Sequence, residues 1–237
     1  MLGKLLDLIW PRTCEICGHP VDRPDRHVCS DCLNRLPFVP VNGCCRKCGR
    51  DAEGLDGEYL CQECREFKPS FDRAASALRF DGEAREMINA FKFRNHIWLK
   101  DDLTDWLEAV TRAHFKIGEI AGVLPMPITP WRRIDRGYNQ CAYLCKALAR
   151  RIGRPYLPRT LRRAGSPKRQ GSLDEIGRRQ NVIGTFRVRR PADVKGRTVL
   201  VVDDILTTGS TLSECAAELK RAGAERVWGV TLARTVR

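Results

Sequence analysis

Two groups of residues in this 237-residue chain have the types and spacing to do chemistry. The first is the string Val199-Leu200-Val201-Val202-Asp203-Asp204-Ile205-Leu206-Thr207-Thr208-Gly209-Ser210-Thr211. Its apolar, mostly β-branched start predicts a strand covered on both faces that ends at Asp203-Asp204. Gly209 permits a tight turn, and a helix is expected from about Thr211. The amides of residues 207–211 and the hydroxyls of Thr207, Thr208, Ser210 and Thr211 can then converge on one phosphate, helped by the helix dipole. Two carboxylates would repel that phosphate unless they held another part of the same ligand. A vicinal diol suits them, because acidic side chains accept hydrogen bonds from ribose 2′- and 3′-hydroxyls. Phosphate and diol together describe ribose 5-phosphate. A Walker loop is excluded, since the Gly-Lys-Ser/Thr ending is missing.

The second group is cysteine. Nine of the 12 cysteines fall within residues 14–64, and eight of these form Cys-x-x-Cys pairs: Cys14/Cys17, Cys29/Cys32, Cys45/Cys48 and Cys61/Cys64. A two-residue spacer lets two thiolates face one metal, and two pairs complete a tetrahedral Zn²⁺ site. The intervals repeat, with 11 residues between the first two pairs and 12 between the last two, as in two tandem zinc ribbons. Sequential pairing makes each ribbon self-contained, and metal would supply much of the folding free energy of so short a segment. Disulfides or redox-active dithiols are the competing readings. Cys44 is a spare that could replace Cys45 as a ligand, whereas Cys141, Cys145 and Cys215 read as small core residues on helices.

The elements that must position these groups divide the chain at about residue 70, giving a ribbon module over 1–69 and a second domain over 70–237. Strands are expected at 74–80, 121–124, 198–202 and 227–232. Helices are expected at about 83–93, 97–115, 140–152 and 211–222. A strand, helix and strand joined by Ala222-Gly223-Ala224 form a right-handed βαβ unit, so the class is α/β with a parallel sheet. Residues 163–181, polar and rich in Gly and Arg, read as a long functional loop.

Net charge is +13 and unevenly placed: residues 131–197 hold 19 Lys/Arg against 4 Asp/Glu, whereas residues 1–70 hold 10 against 11. An anionic partner is expected at that basic segment, a phosphorylated small molecule, nucleic acid or both, the competing reading being a solvated basic surface. No apolar run reaches the ~18–20 residues of a membrane span, and Leu5–Trp10 makes a poor signal peptide. A cytoplasmic protein without membrane insertion is the expectation.

The Asp-Asp-x-x-Thr-Thr-Gly-Ser-Thr string resembles the 5-phosphoribosyl-1-pyrophosphate (PRPP) signature of type I phosphoribosyltransferases. Preceded by two ribbon-like modules, by Arg136-Gly137-Tyr138-Asn139-Gln140, and by Gln170 with Arg178 and Asn181, it resembles the ComF (ComFC-type) family of competence proteins over nearly the whole chain. The likeness departs at Lys92-Phe93-Arg94-Asn95, where a closing glycine is expected. The resemblance implies that Asp203 and Asp204 hold the ribose diol and that Thr207, Thr208, Gly209, Ser210 and Thr211 bind the 5-phosphate. It places Arg132, Arg136 and Asn139 near a pyrophosphate loop, and Lys168, Arg169, Gln170 and Arg178 on a closing flexible loop. It implies Mg²⁺ with PRPP, two structural zincs, and transfer of ribose 5-phosphate to an unidentified nitrogenous base during DNA uptake. The alternative is a non-catalytic factor that binds PRPP or single-stranded DNA and docks a helicase or recombination partner. The phosphoribosyltransferase part also resembles that of glutamine amidophosphoribosyltransferase, whose glutaminase half is not expected in a chain beginning Met1-Leu2.

Overall fold

A four-stranded parallel sheet organises the molecule, in the order β1 (Arg73–Arg79), β6 (Arg226–Arg234), β5 (Thr198–Leu206) and β2 (Ile120–Pro125). The computed structural model describes residues 12–23, 25–52, 57, 59–129, 134, 138–164 and 184–235. Beyond β2, a parallel bridge between Val123 and Tyr156 extends the sheet. A short antiparallel ribbon of β3 (Leu161–Arg163) and β4 (Phe186–Val188) follows. These two strands have no counterpart in the sequence expectations, because three residues are too few to show a period.

The alternation of side chains along β5 sorts the interior into two cores. Leu200 and Val202 face one core with helices α3 (Gly82–Phe93), α4 (Lys100–His114) and α5 (Gln140–Arg151). Val199 and Val201 face the other, under α6 (Ser210–Arg221); past the carboxylates the phase shifts, so that Ile205 packs on the first core and Leu206 joins the second. Each helix buries its apolar stripe, for example Leu103, Trp106, Leu107 and Val110 on α4. The expected helix over 97–115 starts instead as a 3₁₀ turn at Ile97–Leu99, and α4 proper begins at Lys100.

Both cysteine-rich modules lean on this sheet, one from each side. Cys14, Cys29 and Cys32, followed by α1 (Ser30–Arg35), belong to the core under α3–α5. Cys45, Cys48, Cys61 and Cys64, with α2 (Gln62–Phe67), belong to the core under α6. The chain joining the modules runs along the free edge of β1. There Val39 donates to the Ala77 carbonyl (2.9 Å), Arg79 to Pro37 (2.8 Å) and Ala74 to Lys47 (2.8 Å).

β5 does not stop at the two carboxylates. It continues four residues past the expected end to Leu206, pairing Asp203 with Thr231, Ile205 with Ala233 and Leu206 with Arg234. Asp203 and Asp204 therefore sit on a strand, not on the loop, and the loop begins at Thr207.

Candidate active site

The loop from Thr207 to Gly209 turns the chain from β5 into α6. Gly209 adopts φ +75°, a left-handed conformation that favours glycine. No side chain caps α6, whose N-cap is Gly209 itself. The amides of Thr207, Thr208 and Gly209 make no hydrogen bond among the described residues. The Thr208 and Ser210 hydroxyls hydrogen-bond each other at 2.7 Å beside those amides, so one O–H of the pair is already used. A cradle of unsatisfied N–H groups at the start of a 12-residue helix is suited to a phosphate.

The two carboxylates differ. Asp204 is paired by Lys92 Nζ at 2.9 Å, with both side chains largely buried. Lys92 comes from the last turn of α3, which residues at the start of α5 hold in place: Tyr138 Oη donates to the Phe91 carbonyl (2.7 Å) and Gln140 Nε2 to the Lys92 carbonyl (2.9 Å). Asp203 accepts from the Asp204 amide at 2.9 Å and from the Cys141 thiol at 3.4 Å. Burial, with the neighbouring Asp204 charge, pushes the Asp203 carboxyl up to about 7, close to physiological pH. Cys141 is thus not merely a core residue as expected, since its thiol is part of the site; burial pushes its pKa well up and keeps it protonated. Cys145 and Cys215 are buried, as expected.

Asn139 caps α5, its side chain accepting from the Ala142 amide, while its Nδ2 donates to the Met126 carbonyl at 3.2 Å. It thereby ties the turn after β2 to the site. It also lines a cavity of about 660 Å³ whose walls carry Arg159, Arg162, Arg163, Arg189 and Arg190 and, among the described residues, no acidic residue. These five arginines, from the ends of β3 and β4, escaped the sequence reading; Arg162-Arg163 and Arg189-Arg190 in a basic segment were the available signal. Arg132, Arg136, Lys168, Arg169, Gln170 and Arg178 lie outside the described residues.

The cysteines gather as the sequential pairing expected. Cys14, Cys17, Cys29 and Cys32 have their sulfurs within 4.8 Å of one another, and so have Cys45, Cys48, Cys61 and Cys64. The Cys17 and Cys29 sulfurs lie 3.7 Å apart, and those of Cys48 and Cys61 3.8 Å. Tetrahedral zinc with Zn–S of about 2.3 Å sets neighbouring sulfurs about 3.8 Å apart, so both quartets fit the ion. The Cys29 amide donates to Cys14 Sγ and the Cys61 amide to Cys45 Sγ, both at 3.4 Å. Burial raises the Cys14 thiol, but the amides of Cys17, Cys29 and Ile16 outweigh it and bring the pKa to about 7. Cys44 is no substitute ligand: its thiol donates to the Pro40 carbonyl at 3.1 Å, outside the quartet.

Residues 139–235 match the phosphoribosyl transferase domain family, and residues 5–65 match the double zinc ribbon domain family. Competence protein F of Haemophilus influenzae is 29% identical over 87% of this chain and 90% of its own length. The DNA utilization protein YhgH of Salmonella typhimurium is 28% identical over 95% of this chain and 98% of its own. Competence protein ComFC of Streptococcus pneumoniae is 24% identical over 89% of each chain. With the parallel sheet and the two cysteine quartets, these matches define a type I phosphoribosyltransferase fold preceded by a double zinc ribbon that carries structural zinc. Both domain matches and these relatives, over nearly the whole chain, support a ComF-family protein. No helix among the described residues is long and apolar enough to cross a membrane.

Proposed function

We propose that this protein binds PRPP at the end of β5 and transfers its ribose 5-phosphate to a nitrogenous base, releasing pyrophosphate. The observation that carries the reading is the juxtaposition of a carboxylate pair with a cradle of free amides three residues further on. Thr207 to Thr211 hold the 5-phosphate, and Asp203 and Asp204 hold the ribose hydroxyls. Lys92 supplies the counter-charge beside Asp204, with both side chains largely buried. Displacing pyrophosphate builds positive charge on the ribose and negative charge on the leaving group. The arginine-lined cavity, sharing Asn139 with the turn after β2, supports the second of these. Mg²⁺, bound through the substrate's phosphates and one or two carboxylates, would neutralise the leaving group further.

Asp203 gives the site a pH dependence. With its pKa near 7, it gains acceptor capacity as pH rises through neutrality, and diol binding tightens in the same window. The test is calorimetric titration with PRPP, with and without Mg²⁺, across pH 6–8. Binding that strengthens with Mg²⁺ and with rising pH supports the reading. No binding in any condition overturns it.

A second reading draws on the arginines. Arg159, Arg162, Arg189 and Arg190 are exposed, and relatives carry names tied to competence and DNA utilization. A single-stranded DNA backbone could follow that basic face without any transfer chemistry. Its signature is affinity for an oligonucleotide that falls steeply with salt and is unaffected by Asp203→Asn.

A further inference from the structure

We infer that Arg234 is a positioning residue that makes the second cysteine quartet part of the phosphate loop, so that metal loading at Cys45, Cys48, Cys61 and Cys64 sets the shape of residues 206–209. For its ligand arm, the inference rests on the reading of that loop as a phosphate site; its structural arm does not.

Arg234, at the end of β6, is only 2% exposed. Its guanidinium donates to the Cys48 carbonyl at 2.8 Å and lies 3.7 Å from Cys48 Sγ. Among the described residues no carboxylate pairs with it within 4 Å, although burying an unpaired guanidinium is costly. Four thiolates around one Zn²⁺ carry a net charge of −2, so the loaded quartet is the counter-ion this arginine requires. On its backbone side the same segment holds the root of the loop. Arg234 pairs with Leu206 across the sheet, and the Thr235 amide donates to the Leu206 carbonyl at 3.1 Å.

Two further contacts bring the segment that follows the ribbon against the loop. The buried Phe71 ring lies 3.5 Å from where a Cβ on Gly209 would stand. The Ser70 amide donates to Ser213 Oγ, in the first turn of α6, at 2.9 Å. Between Cys48, Cys64 and Phe67 on one side and Leu206 to Gly209 on the other, a gap of only about 20 Å³ remains. That is room for about one water, so a shift of the ribbon is transmitted to the loop rather than absorbed. Among the described residues the first quartet has no such link. Its arginine, Arg35, serves Cys32 from a mostly exposed position and contacts nothing at the loop.

The test uses the full zinc-loaded chain and amide hydrogen exchange in peptides spanning 206–211. Arg234→Met should speed exchange there about tenfold while leaving two zincs bound, and Arg234→Lys should restore part of the protection. Cys17→Ser, which disables the first quartet, should leave that segment unchanged, whereas Cys64→Ser should expose it. In parallel, zinc release into a chromogenic chelator is followed with and without PRPP. PRPP should slow the loss of one zinc of the two, and Arg234→Met should abolish the slowing, as reciprocal linkage demands. Should Arg234→Met fail to fold, Arg234→Lys and the two-zinc release of the wild type decide the matter. Unchanged exchange in a zinc-replete Arg234→Met overturns the inference. So does PRPP binding, verified by calorimetry, that slows both zincs equally or neither. Failure of PRPP to bind overturns the proposed function instead, and the exchange comparison still decides this one.

Discussion

The two ribbons share a ligand pattern but are fastened to the molecule in different ways. The first is held by charge. Arg23 pairs with the buried Asp102 (3.2 Å), Arg26 with Asp105 (2.6 Å), and Glu15 meets His96 (2.5 Å) and the Trp98 indole (3.1 Å). Burial pushes the Asp102 carboxyl up, but the His27 amide and Arg23 lean against that shift. The second ribbon is held mainly by buried contact, through the Arg234–Cys48 bond and the close packing on β1, where a Cβ on Gly49 would stand 2.8 Å from the Ala74 carbonyl, with one ion pair beside them, Asp51 with Arg79 (2.5 Å). Each ribbon also addresses a different half of the site. The first clamps the turn that follows Lys92, and so stands behind the carboxylates. The second stands behind the phosphate loop. Two metal modules of one pattern thus meet the fold differently, the first with more ion pairs, the second through a buried arginine.

Substitutions can separate the two modules. The largest effect is expected from Asp203→Asn with Asp204→Asn, which should lower PRPP affinity at least ~100-fold, about 3 kcal/mol, without unfolding the chain. Retained affinity in calorimetry would remove the carboxylates from the site. Next comes metal. Elemental analysis should find about two zincs per chain, and Cys64→Ser should cost one of them together with roughly ten degrees or more of Tm. Cys17→Ser should also cost one zinc but leave PRPP affinity closer to wild type. Equal losses of affinity would erase the contrast between the ribbons.

Lys92→Met should weaken PRPP binding about tenfold, because Asp204 is then left without its buried counter-charge. Asp203 offers a stability test whose sign is fixed. Its folded pKa of about 7 exceeds the ordinary 3.8, so the folded state binds the extra proton and stability falls as pH rises between those values. Asp203→Asn should therefore raise Tm by a few degrees more at pH 8 than at pH 5, as a thermal scan would reveal. The smallest effect is salt. Raising ionic strength to ~1 M screens the ion pairs of the first ribbon and should speed zinc loss from Cys14, Cys17, Cys29 and Cys32 about two- to threefold, leaving the second quartet nearly unchanged.

The cysteine spacing and the Asp203–Thr211 string were legible because their partners lie within a few residues of each other. The parallel sheet was legible for the same reason, through strand and helix periods. What lay hidden depends on contacts between distant segments. Lys92 looked like an irregular turn until α3 brought it to Asp204, and Cys141 looked like core filler until α5 placed its thiol beside Asp203. The extension of β5 to Leu206 follows from β6, whose Thr231, Ala233 and Arg234 continue the ladder past the carboxylates. A polar pair normally ends a buried strand, but here Lys92 and the cross-strand bonds offset the cost. Cys44 sits one residue from a ligand, and only the bridge from Cys44 to Asp51 turns its thiol toward Pro40.

The covering of β1 by the segment that joins the ribbons has a consequence for solubility. Unpaired strand edges recruit other strands, and β1 escapes this only because Pro37, Val39 and Lys47 occupy its outer hydrogen bonds. The chain that supplies those residues is anchored at both ends by cysteine quartets. Stripping the metal should therefore bare a sticky edge as well as loosen two modules, and demetallated protein should self-associate in a concentration-dependent manner before it unfolds.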